Sequence, residues 1–257
     1  MKITTLSENT TRGGLKCEHG LSLYIETSGK KILFDFGASD IFYENALQLG
    51  VDLSQIDFAV LSHGHNDHGG GLKRFLEINS HAPVYVSPYA FEPHYNAAGK
   101  YIGLDTDLAH SGRLITVEKS QIIDTGVKIF NCNHLAHRFP ITECGHTKEA
   151  NGKRQKEDYC HEQYLLISQG KDRVLISGCS HKGILNIMEW VKPTHLVGGF
   201  HFSKLPLDSA LLSYANTLDQ FGAQYYTCHC TGTEQFNFMR SRMQGLSYLS
   251  TGDEITI

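Results

Sequence analysis

Residues 58–71 run Phe58-Ala59-Val60-Leu61-Ser62-His63-Gly64-His65-Asn66-Asp67-His68-Gly69-Gly70-Gly71. Four apolar residues, the pattern of a strand buried on both faces, lead straight into three imidazoles and a carboxylate within six positions. Buried together without a cation, such polar atoms would cost ~1–3 kcal/mol each in unmade hydrogen bonds. Spaced as H-x-H-x-D-H in a tight turn at a strand end, they can converge on one or two cations. The glycines that follow let the backbone pass close to the site. Leu72, Phe75 and Leu76 then continue at helical spacing.

Outward from this turn, residues 21–26 and 31–36 read as a hairpin about Ser28-Gly29, and Ser39-Asp40 caps a helix that Gly50 stops. Strands are expected at 84–86, 114–117, 127–130, 164–168 and 174–177. The last third alternates: helix 183–190, strand 195–198, helix 208–221 capped by Asp208, strand 224–227 and helix 233–243. Residues 140–158 show no periodicity and read as a long polar loop, functional or mobile, with 148–156 as a solvated stretch. Neither a fixed-period repeat nor a break in composition appears, so 1–257 is expected to be one domain. Strand-rich halves, each closed by helices, imply an α/β fold with two sheets packed together and helices outside.

The 257 residues are 40% hydrophobic and 19% charged, which supplies a sizeable core and excludes disorder as the main state. A formal charge of −4 with no basic stripe argues against a nucleic-acid partner. No apolar run approaches the ~18 residues of a membrane helix, and no apolar leader opens the chain. Seven cysteines, an odd number in a chain able to bury its own core, suggest reduced thiols. The expectation is a soluble cytoplasmic protein with a small-molecule substrate and no membrane partner; its oligomeric state is left open. Histidine, at 15 residues, is the commonest metal ligand and a common general base.

The His63 to Gly70 motif resembles the metallo-β-lactamase superfamily. Upstream, Leu23 to Gly37 resembles that family's opening hairpin with its Asp-x-Gly turn, and Val174 to Gly178 resembles its late strand. That strand usually ends in Gly-Asp, the Asp bridging two metals; here the position holds Cys179. Gly-Cys-Ser-His-Lys-Gly-Ile at 178–184, Gly-Gly-Phe-His at 198–201 and His-Cys-Thr-Gly at 229–232 resemble the branch of the dihydropterin-methyl-ribofuranosylaminobenzene phosphate synthases and their relatives, metal-dependent hydrolases. The resemblance implies a four-layer αββα sandwich of two mixed β-sheets with helices on the outer faces.

It also implies a ligand set. His63 and His65 match the first metal, Asp67 and His68 the second, and His229 its final histidine. The third ligand of the first site is assigned to His181, with His146 in Gly145-His146-Thr147 as the alternative, disfavoured because only polar loop follows it. Cys179 is a candidate bridging thiolate; otherwise the second metal binds weakly. Asp67 and His201 are the candidate catalytic residues, Asp67 orienting water and taking its proton. His19, Glu162 and His201 are candidate substrate contacts. His81, His94, His110, His134, His137 and His195 are read as structural or surface residues, and Cys228 and Cys230 as small buried side chains beside a ligand, with a metal or redox role as the other reading. Imidazole and carboxylate ligands suit one or two Zn²⁺ ions, and Mn²⁺ or Fe²⁺ fits the same set. A bound cation acidifies water, which points to a hydrolase acting on a small ester, amide or phosphoester. The alternatives are a transferase displacing pyrophosphate in pterin-type biosynthesis, or a non-catalytic metal-binding or sensing module.

Overall fold

Ser28 and Gly29 turn the first hairpin as their types suggest: both hold positive φ (47° and 75°), and Ser22–Thr27 pairs antiparallel with Lys30–Phe34. The computed structural model describes residues 1–142 and 144–257. The chain divides into two compact units, each discontinuous in sequence: Met1–Glu118 with Glu143–Gln163 and Ser250–Ile257, and Lys119–Thr142 with Tyr164–Leu249.

The first unit holds a seven-stranded sheet in the order Glu254–Thr256, Lys2–Ser7, Ser22–Thr27, Lys30–Phe34, Phe58–Val60, Val84–Val86, Leu114–Thr116. The first three pairings are antiparallel and the last three parallel. The helix Ile41–Leu49, closed by Gly50 at φ 71°, and the helix Leu72–Ile78 lie in the crossovers between the parallel strands. Phe36, Phe42, Phe75, Leu33, Leu61 and Val84 fill its apolar core. The polar-looking N-terminus thus contains a strand, Lys2–Ser7, whose threonines and serine are buried within the sheet.

The second unit repeats the plan. Its sheet runs Leu246–Tyr248, Gln224–Thr227, His195–Gly198, Asp172–Ile176, Tyr164–Gln169, Val127–Phe130, Ser120–Asp124. Here too, three parallel pairings follow three antiparallel ones in chain order. The helices Ile184–Val191, Ser209–Asp219 and Thr233–Met239 are the crossovers, and Asp208 caps the second by accepting from the Ala210 and Leu211 amides. The two sheets share this pairing pattern but not their connectivity: the antiparallel edge of the first is the late strand Glu254–Thr256, whereas that of the second, Ser120–Asp124, precedes its other strands.

Between residues 140 and 158 the structure replaces the expected irregular loop. Thr147–Ala150 and Lys153–Lys156 form a hairpin around Asn151 and Gly152, both at positive φ, and Thr147–Ala150 also pairs with His94–Tyr95. Asn-Gly is the strongest two-residue hairpin signal, and it outweighs the lack of apolar alternation. Nor is the whole of 148–156 solvated: Lys148 is buried, its ammonium held by Glu92 (3.1 Å) and Asp158 (2.9 Å). Among the described residues, no helix is long and apolar enough to cross a membrane.

Gly198 ends its parallel strand at φ +139°, where a Cβ would run into the carbonyl oxygen of Ser177. Gly198→Ala should therefore cost on the order of 1–3 kcal/mol in backbone strain and lower the thermal midpoint, read by circular dichroism, by several degrees. An unchanged midpoint would mean that the backbone relaxes at no cost.

Candidate metal centre

In both units the chemistry-bearing residues follow the carboxyl ends of parallel strands, the usual ligand position in open α/β sheets. In the first unit Asp35 follows Lys30–Phe34, and Ser62 to His68 follow Phe58–Val60. In the second, Cys179 to His181 follow Asp172–Ile176, His201 follows His195–Gly198 and His229 follows Gln224–Thr227. Asp35, Ser180, His201 and His229 all hold left-handed φ of 50–61°. Left-handed backbone outside glycine is strained, and such strain gathers at functional sites.

Asp35 organises the first unit's site. Its carboxylate is wholly buried and accepts the Ser62 amide N–H (2.6 Å), the Ser62 hydroxyl (2.7 Å) and Nδ1–H of His68 (2.6 Å). With its own proton given to Asp35, Ser62 Oγ is left to accept from Nδ1–H of His63 at 2.7 Å. Both imidazoles therefore carry a proton on Nδ1, so Nε2 is the nitrogen each would offer a cation. Burial pushes the Asp35 carboxyl up, against the His68 imidazole and the two Ser62 bonds. Burial alone would lower His68, but Asp35 and Asp67 outweigh it and hold that imidazole raised.

Donor atoms of His63, Asp67 and His68 all lie within 4.8 Å of one another. Two imidazoles of fixed tautomer grouped this closely with a carboxylate are a donor set that a divalent cation fits. His65 sits edge-on to His63, ring centroids 4.7 Å apart, yet its donor atoms group with those of His94, Glu157 and His161. Burial, with His94, His146 and His68 adding to it against Asp67, drives His65 well below the ordinary imidazole value, so the ring is neutral. His94, read from the sequence as structural or surface, is wholly buried in this group.

His146 is followed directly by the strand Thr147–Ala150, contrary to the expectation that only loop follows it. Its ring centroid lies 5.5 Å from that of His65. His19 is exposed, with Nε2 3.4 Å from Oδ2 of Asp67, while Glu162 is wholly buried. In the second unit the His181 and His201 rings lie 4.5 Å apart, and Cys179, His181 and His229 are buried. Cys228 and Cys230 are buried too, the Cys230 thiol donating to the Cys179 carbonyl at 3.5 Å. None of the seven cysteines is in a disulfide.

The sequence signature of the metallo-β-lactamase superfamily matches residues 15–219. The chain belongs to that superfamily. Its two large mixed sheets with helices match the metallo-β-lactamase fold, and its strand-end histidines fall within a scaffold that is metal-dependent. Over 243 residues the chain is 32% identical to an uncharacterised protein of Methanocaldococcus jannaschii, covering 90% of each. It is 29% identical over 283 residues to the same organism's 7,8-dihydropterin-6-methyl-4-(β-D-ribofuranosyl)-aminobenzene-5'-phosphate synthase, covering 98% of this chain and 95% of that one. The crystal structure of a metal-dependent hydrolase of the β-lactamase superfamily superposes with a TM-score of 0.87 at 28% identity, covering 100% of this chain and 99% of that one.

In the sequence Asp35 stands out only as part of a turn, and no local pattern marks the roles of Ser62, Glu157 and His161. Asp35→Asn removes the charge that fixes both tautomers. We expect a 10–100-fold loss of Zn²⁺ affinity by chelator competition and destabilisation on the order of 3 kcal/mol by denaturant titration. Wild-type affinity in that variant would dismiss Asp35 as the organising group.

Proposed function

We propose that the chain is a metal-dependent hydrolase that uses water to cleave a small ester, amide or phosphoester substrate. The proposed ligands are His63, His65, Asp67, His68, His181 and His229, with Cys179 as bridging thiolate and zinc as the cation. The observation that carries this reading is the Nδ1 tethering of His63 and His68 through Ser62 and Asp35, which leaves Nε2 as the nitrogen each would offer a cation, in a donor group that includes Asp67. A bound divalent cation supplies Lewis acidity and acidifies water.

The chain's own residues divide the remaining work. Asp67 keeps a partly exposed carboxylate, with 20% side-chain exposure, so it can orient water and accept its proton. His19, largely exposed beside it, stands where an incoming substrate would be met. His201, half-buried against the His181 ring on backbone held at φ 59°, is an imidazole suited to contacting substrate or giving a proton to a leaving group. Glu162 is buried and its charge contributes to raising His68, and it is kept as a candidate substrate contact beside that imidazole.

A second reading is favoured by one observation: a relative similar along 98% of this chain is named a synthase of a pterin-linked phosphate compound. On that reading the same residues promote departure of pyrophosphate as an acceptor other than water bonds to the carbon that carried it.

Purified protein should contain one to two equivalents of divalent metal by elemental analysis; protein that neither holds nor takes up metal would end both readings. Metal-loaded protein is then offered phosphodiesters, lactones and dihydropterin pyrophosphates. Hydrolysis of the first two supports the hydrolase, and pyrophosphate release that requires an amine acceptor supports the transferase. Asp67→Ala should lose at least 10²-fold in kcat with an unchanged circular dichroism spectrum, and full turnover would remove Asp67 from the mechanism.

A further inference from the structure

His94 carries a polar atom that nothing explains so far. Its ring is wholly buried; Nδ1 donates to Oε2 of Glu157 at 2.7 Å, and Nε2 has no hydrogen-bond partner. With the proton on Nδ1, that Nε2 is an acceptor held in the dark. Glu157 is itself anchored, its Oε1 accepting the Asp158 and Tyr159 amides at 3.1 Å each. The neighbouring His161 is committed differently: its Nδ1 accepts the Gly64 amide at 2.8 Å, which puts its proton on Nε2. The His94 and His161 rings are stacked, centroids 4.1 Å apart and 29° between planes, so neither can bond the other edge to edge. The His65 ring instead stands at 81° to His94, with centroids 5.5 Å apart and donor atoms within 4.8 Å.

These four residues could be taken for a metal site of their own. The protons argue otherwise. His94 Nδ1 and Glu157 Oε2 already share one, His161 Nε2 must hold another, and a cation would have to displace both.

We propose that His94 and Glu157 form a positioning pair for His65, with His94 Nε2 accepting the ring N–H of His65 that ligation leaves protonated. This rests on the reading of His65 as a metal ligand. A ligating imidazole keeps its proton on the nitrogen that does not ligate, and that N–H needs an acceptor. Asp35 serves His63 and His68 in this way; the Glu157–His94 chain does the same for His65, one imidazole further removed. Gly64, bonded to His161 on one side of His65, fixes the backbone that carries the ring.

The test uses the full chain as His94→Phe, His94→Gln, Glu157→Gln and His65→Ala, with affinity for Zn²⁺ by chelator competition, metal content at saturation, and the absorption spectrum of the Co²⁺-loaded protein. His94→Phe should weaken affinity 10–100-fold at unchanged saturating content and alter the Co²⁺ bands. His94→Gln, which keeps an acceptor, should restore most of the affinity, and Glu157→Gln should fall between. Wild-type affinity in folded His94→Phe, or equal losses in His94→Phe and His94→Gln, overturns the pair. Loss of one whole equivalent of metal in His94→Phe or Glu157→Gln overturns it in favour of a separate cation site. If His65→Ala keeps wild-type affinity and content, it is the ligand reading that has failed. Should the Phe variant not fold, the Gln variants decide between the same outcomes through affinity and Co²⁺ bands.

Discussion

One buried carboxylate sets the terms for the first unit. Asp35 has no access to solvent, and an ionised group there is tolerated only because three donors meet it at 2.6–2.7 Å. Those donors come from the end of the next parallel strand and from the turn that follows it, so a single group ties the end of Lys30–Phe34 to Ser62 and to His68. Its left-handed φ of 61° is the backbone consequence: the chain must bend sharply after Phe34 to aim the carboxylate inward. Aspartate tolerates that conformation better than most residues. The same bonds leave His63 and His68 one tautomer each, so the contacts that fix the local fold also set which nitrogen each imidazole would offer a cation.

The shared pairing pattern explains where such groups can stand. Each sheet passes from antiparallel to parallel pairing, and only its parallel half presents several strand ends in one direction. Parallel strands need crossovers, so residues brought to that edge are far apart in sequence. In the second unit, three strand ends deliver Ser180, His201 and His229, each in left-handed backbone. An ordinary exit from a strand would not need that strain three times, and its recurrence marks positions where side-chain aim outweighs backbone comfort.

This architecture also shows why part of the site is legible in the sequence and part is not. His63, His65, Asp67 and His68 sit within six positions, so their spacing alone betrays them. Asp35 lies 27 residues before Ser62, Glu157 lies 63 after His94, and His161 lies 97 beyond Gly64. No local pattern links residues at such separations; the crossovers and the 147–156 hairpin bring them together. That hairpin did carry a local signal in Asn151-Gly152, which the search for apolar alternation overlooks because both of its strands are polar. The hydrophobic strands and helices of both cores follow their periodicity, since burial against a common core is what creates the pattern.

Two buried carboxylates, Asp35 and Glu157, then stand in parallel roles with different reach. Asp35 touches a proposed ligand directly, while Glu157 has His94 interposed. An interposed imidazole passes on orientation and some negative character, but it leaves the charge further from the cation. Direct carboxylate contact raises a ligand's basicity most, so the His68 side of the centre should hold metal more firmly than the His65 side. Metal binding and folding are coupled wherever ligating nitrogens are buried, because each cation bound only by the native state adds RT ln(1 + [M]/Kd) to stability. A site with one directly charged anchor and one relayed anchor therefore distributes that gain unevenly, concentrating it where Asp35 already ties the strand ends together.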